Sequence, residues 1–156
     1  MRNCGKRSLW LLGRQYSDAL SLLSQDDCSV RIKRRFEKED FQNEDMDIVI
    51  LSTSIHSFCK VFDSYPLSFW KNKLVCDVLS VKKYPFDFLC ENLTDNILCM
   101  HPMFGPDSAS KSWNNKKLVY YPHNISLELT KKYDMFIKFW KDVGCELIKM
   151  HPIEHD

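Results

Sequence analysis

A serine and a histidine lie just beyond two consecutive apolar segments of this chain. Ser80 follows the run at residues 73–78, and His101 follows the run at residues 96–100. One helix-length segment, residues 82–92, separates the two runs, which indicates neighbouring parallel strands. Ligands bind at the carboxyl edge of such sheets. The spacing therefore predicts that Ser80 and His101 share one site at that edge.

The imidazole of His101 is a candidate general base, because the unperturbed pKa of histidine lies near neutrality. Pro102 holds His101 in an extended conformation. Gly105 and Pro106 then turn the chain sharply, as expected where backbone passes close to a ligand. The hydroxyl of Ser80 can hold the imidazole tautomer or contact a cofactor. A His-Pro pair alone is more often a structural turn, so the case for catalysis depends on Ser80.

The elements that position these residues alternate between apolar runs and amphipathic stretches, which is typical of an α/β protein with a parallel sheet. The strongest strand, 47–51, is followed by Ser52, Thr53 and Ser54, which can cap a helix. Gly144 is expected to end the helix with the clearest apolar face. The predicted strands are 8–12, 29–32, 47–51, 73–78, 96–100, 118–121 and 145–150; the predicted helices are 16–23, 55–62, 82–92 and 127–143, with a helical turn or loop at 36–43.

The composition indicates one globular domain over residues 1–156, with 44% hydrophobic and 28% charged residues. A net charge of +1 gives no reason to expect nucleic acid or a membrane as partner, and no apolar run reaches the ~20 residues of a membrane span. Seven cysteines, odd in number and without CxxC pairs, favour a reducing compartment. His151 and His155 have i,i+4 spacing but no evident third ligand, so no metal is predicted.

Two longer motifs surround the serine and the histidine: DVLSVK at 77–82 and CMHPMFGP at 99–106. Together they resemble the prephenate/arogenate dehydrogenase family, in particular its plant branch. The similarity covers most of the chain, because it extends upstream and downstream of the motifs. The further matching stretches are 14–19, 47–55, Trp113, 119–120, 144–150 and 154–156.

The resemblance implies an oxidative decarboxylation of arogenate or prephenate in tyrosine biosynthesis. The family removes a hydride from a cyclohexadienol ring, passes it to a nicotinamide cofactor and releases the ring carboxylate as carbon dioxide. By position, His101 would accept the proton or hydrogen bond of the ring hydroxyl as the hydride leaves. Ser80 would orient both this histidine and the nicotinamide.

The resemblance also implies cofactor contacts. Ser52, Thr53 and Ser54 would line the ribose and phosphate side of the cofactor, and a plain helix cap explains them equally well. Arg14 matches the position where plant members meet the adenosine ribose. An arginine there favours NADP over NAD, although Arg14 taken alone reads as a surface charge.

Asp107 and Ser108, which follow the glycine turn, are candidate substrate-binding residues. A carboxylate at Asp107, with Ser108 beside it, would pair with the amino group of arogenate, which prephenate lacks. The resemblance thus suggests where the choice between the two substrates is made.

The implied fold is an incomplete Rossmann-type parallel sheet flanked by helices, truncated at both ends. No G-x-G-x-x-G loop occurs, and the family's C-terminal helical dimerisation domain has no counterpart up to residue 156. If 14–19 are aligned correctly, 8–12 is the family's second strand and the first βα unit is missing. In the alternative register 8–12 is the first strand, with Gly13 as its only turn glycine.

Three functions stay open at this point. The chain is an NADP-dependent arogenate/prephenate dehydrogenase completed by other sequence or a partner, a catalytically silent truncated paralogue or fragment, or a nucleotide-binding or interaction module without redox chemistry. Plant relatives are mostly plastidial, which implies the chloroplast. The cytoplasm is the alternative, since no transit segment is visible.

Overall fold

The computed structural model describes residues 46–105 and 112–156, together with the backbone of one strand at residues 9–12. The described residues form six strands in one sheet and five helices. The strands are β1 (Leu9–Leu12), β2 (Ile48–Leu51), β3 (Leu74–Asp77), β4 (Ile97–Pro102), β5 (Lys117–His123) and β6 (Glu146–Lys149). The helices are α1 (Phe58–Asp63), α2 (Leu67–Trp70), α3 (Lys83–Asn92), α4 (Leu127–Asp142) and α5 (Pro152–His155).

The sheet has the order β1-β2-β3-β4-β5-β6, and its first four strands are parallel. The predicted parallel sheet is correct except at one pair, because β5 runs antiparallel to β4. A parallel return usually contains a crossover helix, and the described residues of this connection, 103–105 and 112–116, contain none. Helix α4 supplies such a crossover between β5 and β6, which are parallel.

The predicted strand at 8–12 pairs directly with β2, where Leu9 faces Ile48 and Leu12 faces Leu51. The buried strand β2 therefore has a neighbour on each side, and its backbone groups need no further partner strand. This arrangement fits the register in which 8–12 is the first strand. It also fits the other register, in which 8–12 is the family's second strand and pairs directly with β2 because the first strand is missing. The segments predicted at 16–23, 29–32 and 36–43 lie outside the described residues.

The core lies on both faces of the sheet, as expected for strands that are apolar on both sides. Alternate residues of β2, β3 and β4 pack against α4 on one face and against α1, α2 and α3 on the other. The predicted apolar face of α4 is confirmed, and Cys76 and Cys99 are fully buried free thiols. The residues of that helix face are Leu129, Tyr133, Phe136, Ile137 and Trp140.

The first helix begins three residues later than predicted, at Phe58. Residues 54–57 form a turn instead, in which the Ser57 amide donates to the Ser54 carbonyl at 3.0 Å. The two four-residue helices, α2 and α5, are additions to the predicted elements.

Gly144 ends α4 in a left-handed conformation, as predicted, with φ of +89°. Replacing Gly144 with alanine is expected to lower the free energy of unfolding by about 1–3 kcal/mol, because a Cβ is strained at this φ. The new atom would also lie 2.5 Å from Oδ1 and 3.0 Å from Cα of Asn114. Urea unfolding followed by circular dichroism measures the loss. Gly105→Ala is the control, since a Cβ there meets no atom within 4 Å; equal losses would contradict the argument.

Candidate active site

The structure places Ser80 and His101 at the same edge of the sheet, as predicted. His101 is the fifth residue of β4, and Ser80 follows the end of β3 by three residues. These strands are parallel neighbours, with Asp77 facing Cys99. His101 is half-buried and Ser80 is exposed. Among the described residues there is no hydrogen bond between them, so the orienting role of Ser80 stays a prediction.

The partner of His101 is a second histidine from the last helix. Nδ1 of His101 lies 2.9 Å from Nε2 of His155. Nδ1 of His155 in turn lies 2.7 Å from Oδ1 of Asp156. The Asp156 carboxylate accepts hydrogen bonds from the backbone amides of Lys82, at 2.8 and 3.1 Å, and Lys83, at 2.9 Å. A continuous line of hydrogen bonds therefore runs from β4 to the N-terminus of α3.

Helix α5 brings His155 to this position, and its own N-terminus is well capped. The side chain of His151 accepts a hydrogen bond from the Ile153 amide at 3.3 Å, and Glu154 accepts one from the His151 amide at 3.3 Å. Pro152 stands at the first helical position. The His151 ring packs against Tyr121 at 4.7 Å between centroids, which holds the helix against β5.

His155 is the functional candidate that the sequence reasoning missed. A signal was present, because Pro152 followed by Glu154 is typical of a helix start and would have placed His155 on a short helix. His151 and His155, the pair with i,i+4 spacing, have different roles: His151 caps the helix and His155 contacts His101. The described part of the chain holds no cluster of three or more side chains suited to a metal ion.

A buried ion pair lies behind the histidine. The side chains of Asp77 and Lys82 form a salt bridge and are 0% and 2% exposed. Nζ of Lys82 also donates to the carbonyl of Met100, the residue before His101, at 2.6 Å. Burial raises the pKa of Asp77, and the charge and hydrogen bond of Lys82 oppose that rise. The pair fixes the backbone of β4 next to the candidate base.

The electrostatic surroundings keep the imidazole of His101 neutral. Burial lowers the pKa of His101 to about 4; a proton on His155, when present, and the charge of Lys82 add to this effect, while Asp156 acts against it. Burial would raise the pKa of Asp156, but hydrogen bonds from His155 and the two backbone amides lower it below its usual value. At neutral pH the site thus holds a neutral imidazole able to accept a proton and a charged carboxylate.

A second group of polar atoms lies at the end of β2. The hydroxyls of Ser52 and Thr53 are buried and have no hydrogen-bond partner in the described structure. Ser54 differs, because it is exposed and its hydroxyl contacts that of Ser57 at 2.9 Å. The residue that precedes α1 is Ser57, so a helix cap does not explain Ser52 or Thr53. Two buried hydroxyls without partners fit the polar groups of a bound ligand such as a ribose or phosphate.

Three predicted site residues, Arg14, Asp107 and Ser108, lie outside the described residues. Their roles toward cofactor and substrate stay predictions. The described site therefore consists of the histidine pair with Asp156, the buried ion pair behind it, the exposed Ser80 and the hydroxyls at the end of β2.

Similarity to known proteins gives this geometry a family context. Residues 18–149 match the family described as prephenate dehydrogenase, nucleotide-binding domain. The chain is 37% identical over 123 residues to arogenate dehydrogenase 1, chloroplastic, from Arabidopsis thaliana, an alignment that covers 76% of this chain and 19% of the relative. It is 34% identical over 122 residues to arogenate dehydrogenase 2, chloroplastic, from the same plant, covering 75% and 34%. The chain thus spans about a fifth to a third of these relatives.

Among solved structures, Synechocystis arogenate dehydrogenase is similar with a TM-score of 0.72 at 14% identity, covering 95% of this chain and 61% of that one. Prephenate dehydrogenase from Aquifex aeolicus, in complex with hydroxyphenyl propionate and NAD+, gives a TM-score of 0.60 at 17% identity, covering 99% and 63%. These likenesses confirm the predicted Rossmann-type α/β fold. None of the helices within the described ranges is long and apolar enough to cross a membrane.

Proposed function

Because this chain belongs to the prephenate dehydrogenase family, we propose that it acts in the oxidative decarboxylation of arogenate or prephenate. The observation that carries the proposal is His101, a neutral imidazole at the carboxyl edge of the sheet with its own hydrogen-bonded support. The activity belongs to tyrosine biosynthesis, as the resemblance implies. The Arabidopsis relatives are named as chloroplastic, and we propose the same compartment here.

In this reaction His101 serves as the base. Its Nε2 accepts the hydrogen bond or the proton of the ring hydroxyl while positive character builds at the carbinol carbon. Loss of the ring carboxylate as carbon dioxide then aromatises the product. A nicotinamide cofactor, when bound, accepts the hydride that leaves that carbon. In this proposal Ser80, which is exposed at the same edge, orients the nicotinamide beside His101.

The cofactor contacts are proposed for the end of β2 and for Arg14. The buried hydroxyls of Ser52 and Thr53 have the donor and acceptor capacity for the ribose and phosphate side. Ser54 is exposed, its hydroxyl contacts that of Ser57, and it stays a proposed contact on the same side of the cofactor. The preference for NADP over NAD depends on Arg14, whose charge favours a 2′-phosphate.

The substrate contacts are proposed for Asp107 and Ser108. A carboxylate at Asp107 favours arogenate, whose amino group prephenate lacks. The groups that bind the ring carboxylate of the substrate, and the contacts that form the dimer, would come from the family's helical domain, as the resemblance implies.

A binding module without turnover is the second candidate function. It is favoured by one observation, the absence of a G-x-G-x-x-G loop from the four glycines of this sequence. Calorimetric titration with NADP+ and NAD+, followed by an arogenate-dependent assay of nicotinamide reduction, separates the two. Saturable binding with turnover supports the dehydrogenase, binding without turnover supports the module, and absence of binding contradicts both.

Replacing Ser52 with alanine is expected to weaken NADP+ binding by about 2- to 12-fold, which corresponds to one hydrogen bond of about 0.5–1.5 kcal/mol. The same change is expected to leave the stability of the free chain unchanged or slightly higher, because this buried hydroxyl has no partner to lose. Titration calorimetry and urea unfolding measure the two effects. Ser64→Ala is the matched control, because the Ser64 hydroxyl donates to the Val61 carbonyl at the other end of α1. Equal weakening by both variants would remove Ser52 from the cofactor site.

A further inference from the structure

The carboxylate of Asp156 accepts hydrogen bonds from the backbone amides of Lys82 and Lys83, which fixes its position at the N-terminus of α3. The same contacts lower its pKa, so it is ionised and can only accept. Its 2.7 Å contact with Nδ1 of His155 therefore requires a hydrogen on that nitrogen.

This hydrogen determines what the other nitrogen of His155 can do. In a neutral imidazole with hydrogen on Nδ1, Nε2 is a bare acceptor. Nδ1 of His101 lies 2.9 Å from that acceptor, so with both rings neutral it carries the hydrogen of the shared bond. The remaining nitrogen of His101, Nε2, then has a free lone pair.

We propose that His155 and Asp156 are positioning residues that hold His101 in the tautomer with hydrogen on Nδ1 and a lone pair on Nε2. Neither residue needs to touch the substrate. The two rings cross at 64° with centroids 5.0 Å apart, so the contact is an edge hydrogen bond and not a stack. Because α5 is capped and packed against β5, this orientation is set before any ligand binds.

The consequence for catalysis rests on the proposed function. When Nε2 of His101 takes the proton of the ring hydroxyl, the proton on Nδ1 can pass to Nε2 of His155. His155 then carries the positive charge beside the Asp156 carboxylate, and His101 is neutral again. This transfer places the charge on the ring that contacts the Asp156 carboxylate at 2.7 Å, and a neighbouring opposite charge favours the charged form.

Nitrogen NMR of the ¹⁵N-labelled chain tests the proposal without cofactor or substrate. Long-range ¹H–¹⁵N spectra at pH 8 distinguish a protonated Nδ1 from a protonated Nε2 in each neutral imidazole. In the unaltered chain His101 is expected to be mainly protonated on Nδ1. His155→Phe removes the acceptor and is expected to shift His101 mainly to the Nε2-protonated form. His155→Gln keeps an acceptor oxygen near the position of Nε2 and is expected to retain the Nδ1-protonated form.

A His101 that is protonated on Nε2 in the unaltered chain would overturn the proposal, and this measurement does not depend on whether any variant folds. An unchanged tautomer in a folded His155→Phe chain would overturn it as well. His123→Phe is the control for a general loss of a ring, because His123 contacts Phe86 and has no contact with His101 among the described residues. Failure of the dehydrogenase assay would contradict the proposed function but leave this NMR result intact.

Discussion

Replacing Lys82 with methionine is expected to lower the free energy of unfolding by about 3–5 kcal/mol, because it leaves Asp77 as a buried carboxylate without its cation. Both side chains are almost completely buried, at 2% and 0% exposure. The change also removes the donor to the Met100 carbonyl. Urea unfolding followed by tryptophan fluorescence at pH 8 measures the loss.

The neighbouring residue offers a matched control. Lys83 pairs with Asp87 at the surface of α3, where the side chains are 54% and 46% exposed. Lys83→Met is therefore expected to cost at most about 1 kcal/mol. The Lys82→Met deficit should shrink as the pH falls, because burial raises the pKa of Asp77 and protonation removes the uncompensated charge. Equal losses in the two methionine variants would show that the buried ion pair contributes no more to the free energy of unfolding than the exposed pair.

Under the proposed function, replacing His101 with asparagine is expected to lower kcat/KM for arogenate-dependent reduction of NADP+ by about 10²- to 10⁴-fold, the usual contribution of a general base. Asparagine retains a polar atom near the position of Nδ1 but offers nothing at Nε2. NADP+ binding is expected to be unchanged, because the proposed cofactor contacts lie at other residues. Initial rates from nicotinamide absorbance and calorimetric titration measure the two quantities.

The pH profile of the unaltered protein provides a second readout of the same base. Because burial lowers the pKa of His101 to about 4, kcat/KM is expected to stay level from pH 8 down to about 5 and not to fall near 6.5. His123→Asn is the control, since His123 pairs with Ile97 at the opposite end of β4. A similar loss in both asparagine variants would argue against a catalytic role for His101.

The parallel part of the fold could be predicted because its strands are apolar on both faces. The runs that became β2, β3 and β4 are short and continuous, and a helix-length segment separates β3 from β4. The direction of β5 could not be predicted in the same way. Its composition fits either direction, and only the helix-free connection after β4 decides that it runs back.

The site was predictable in its location but not in its contacts. Ser80 and His101 were placed at one edge by the order of strands, a property of neighbouring segments of sequence. The contact between His101 and His155 joins residues 54 positions apart. It depends on how α5 packs on the sheet, and no local pattern encodes that packing. Family resemblance pointed to 154–156 as a matching stretch but assigned it no role.

The salt bridge between Asp77 and Lys82 joins the two ends of the motif DVLSVK, so that six residues form a small closed loop. Ser80 lies between the joined ends and is exposed, while both ends are buried. A loop held at its base has already lost much of the conformational entropy that a ligand would otherwise have to remove. Under the proposed function, the lysine and the aspartate would therefore raise the affinity for a ligand without touching it, because they order in advance the backbone that presents Ser80.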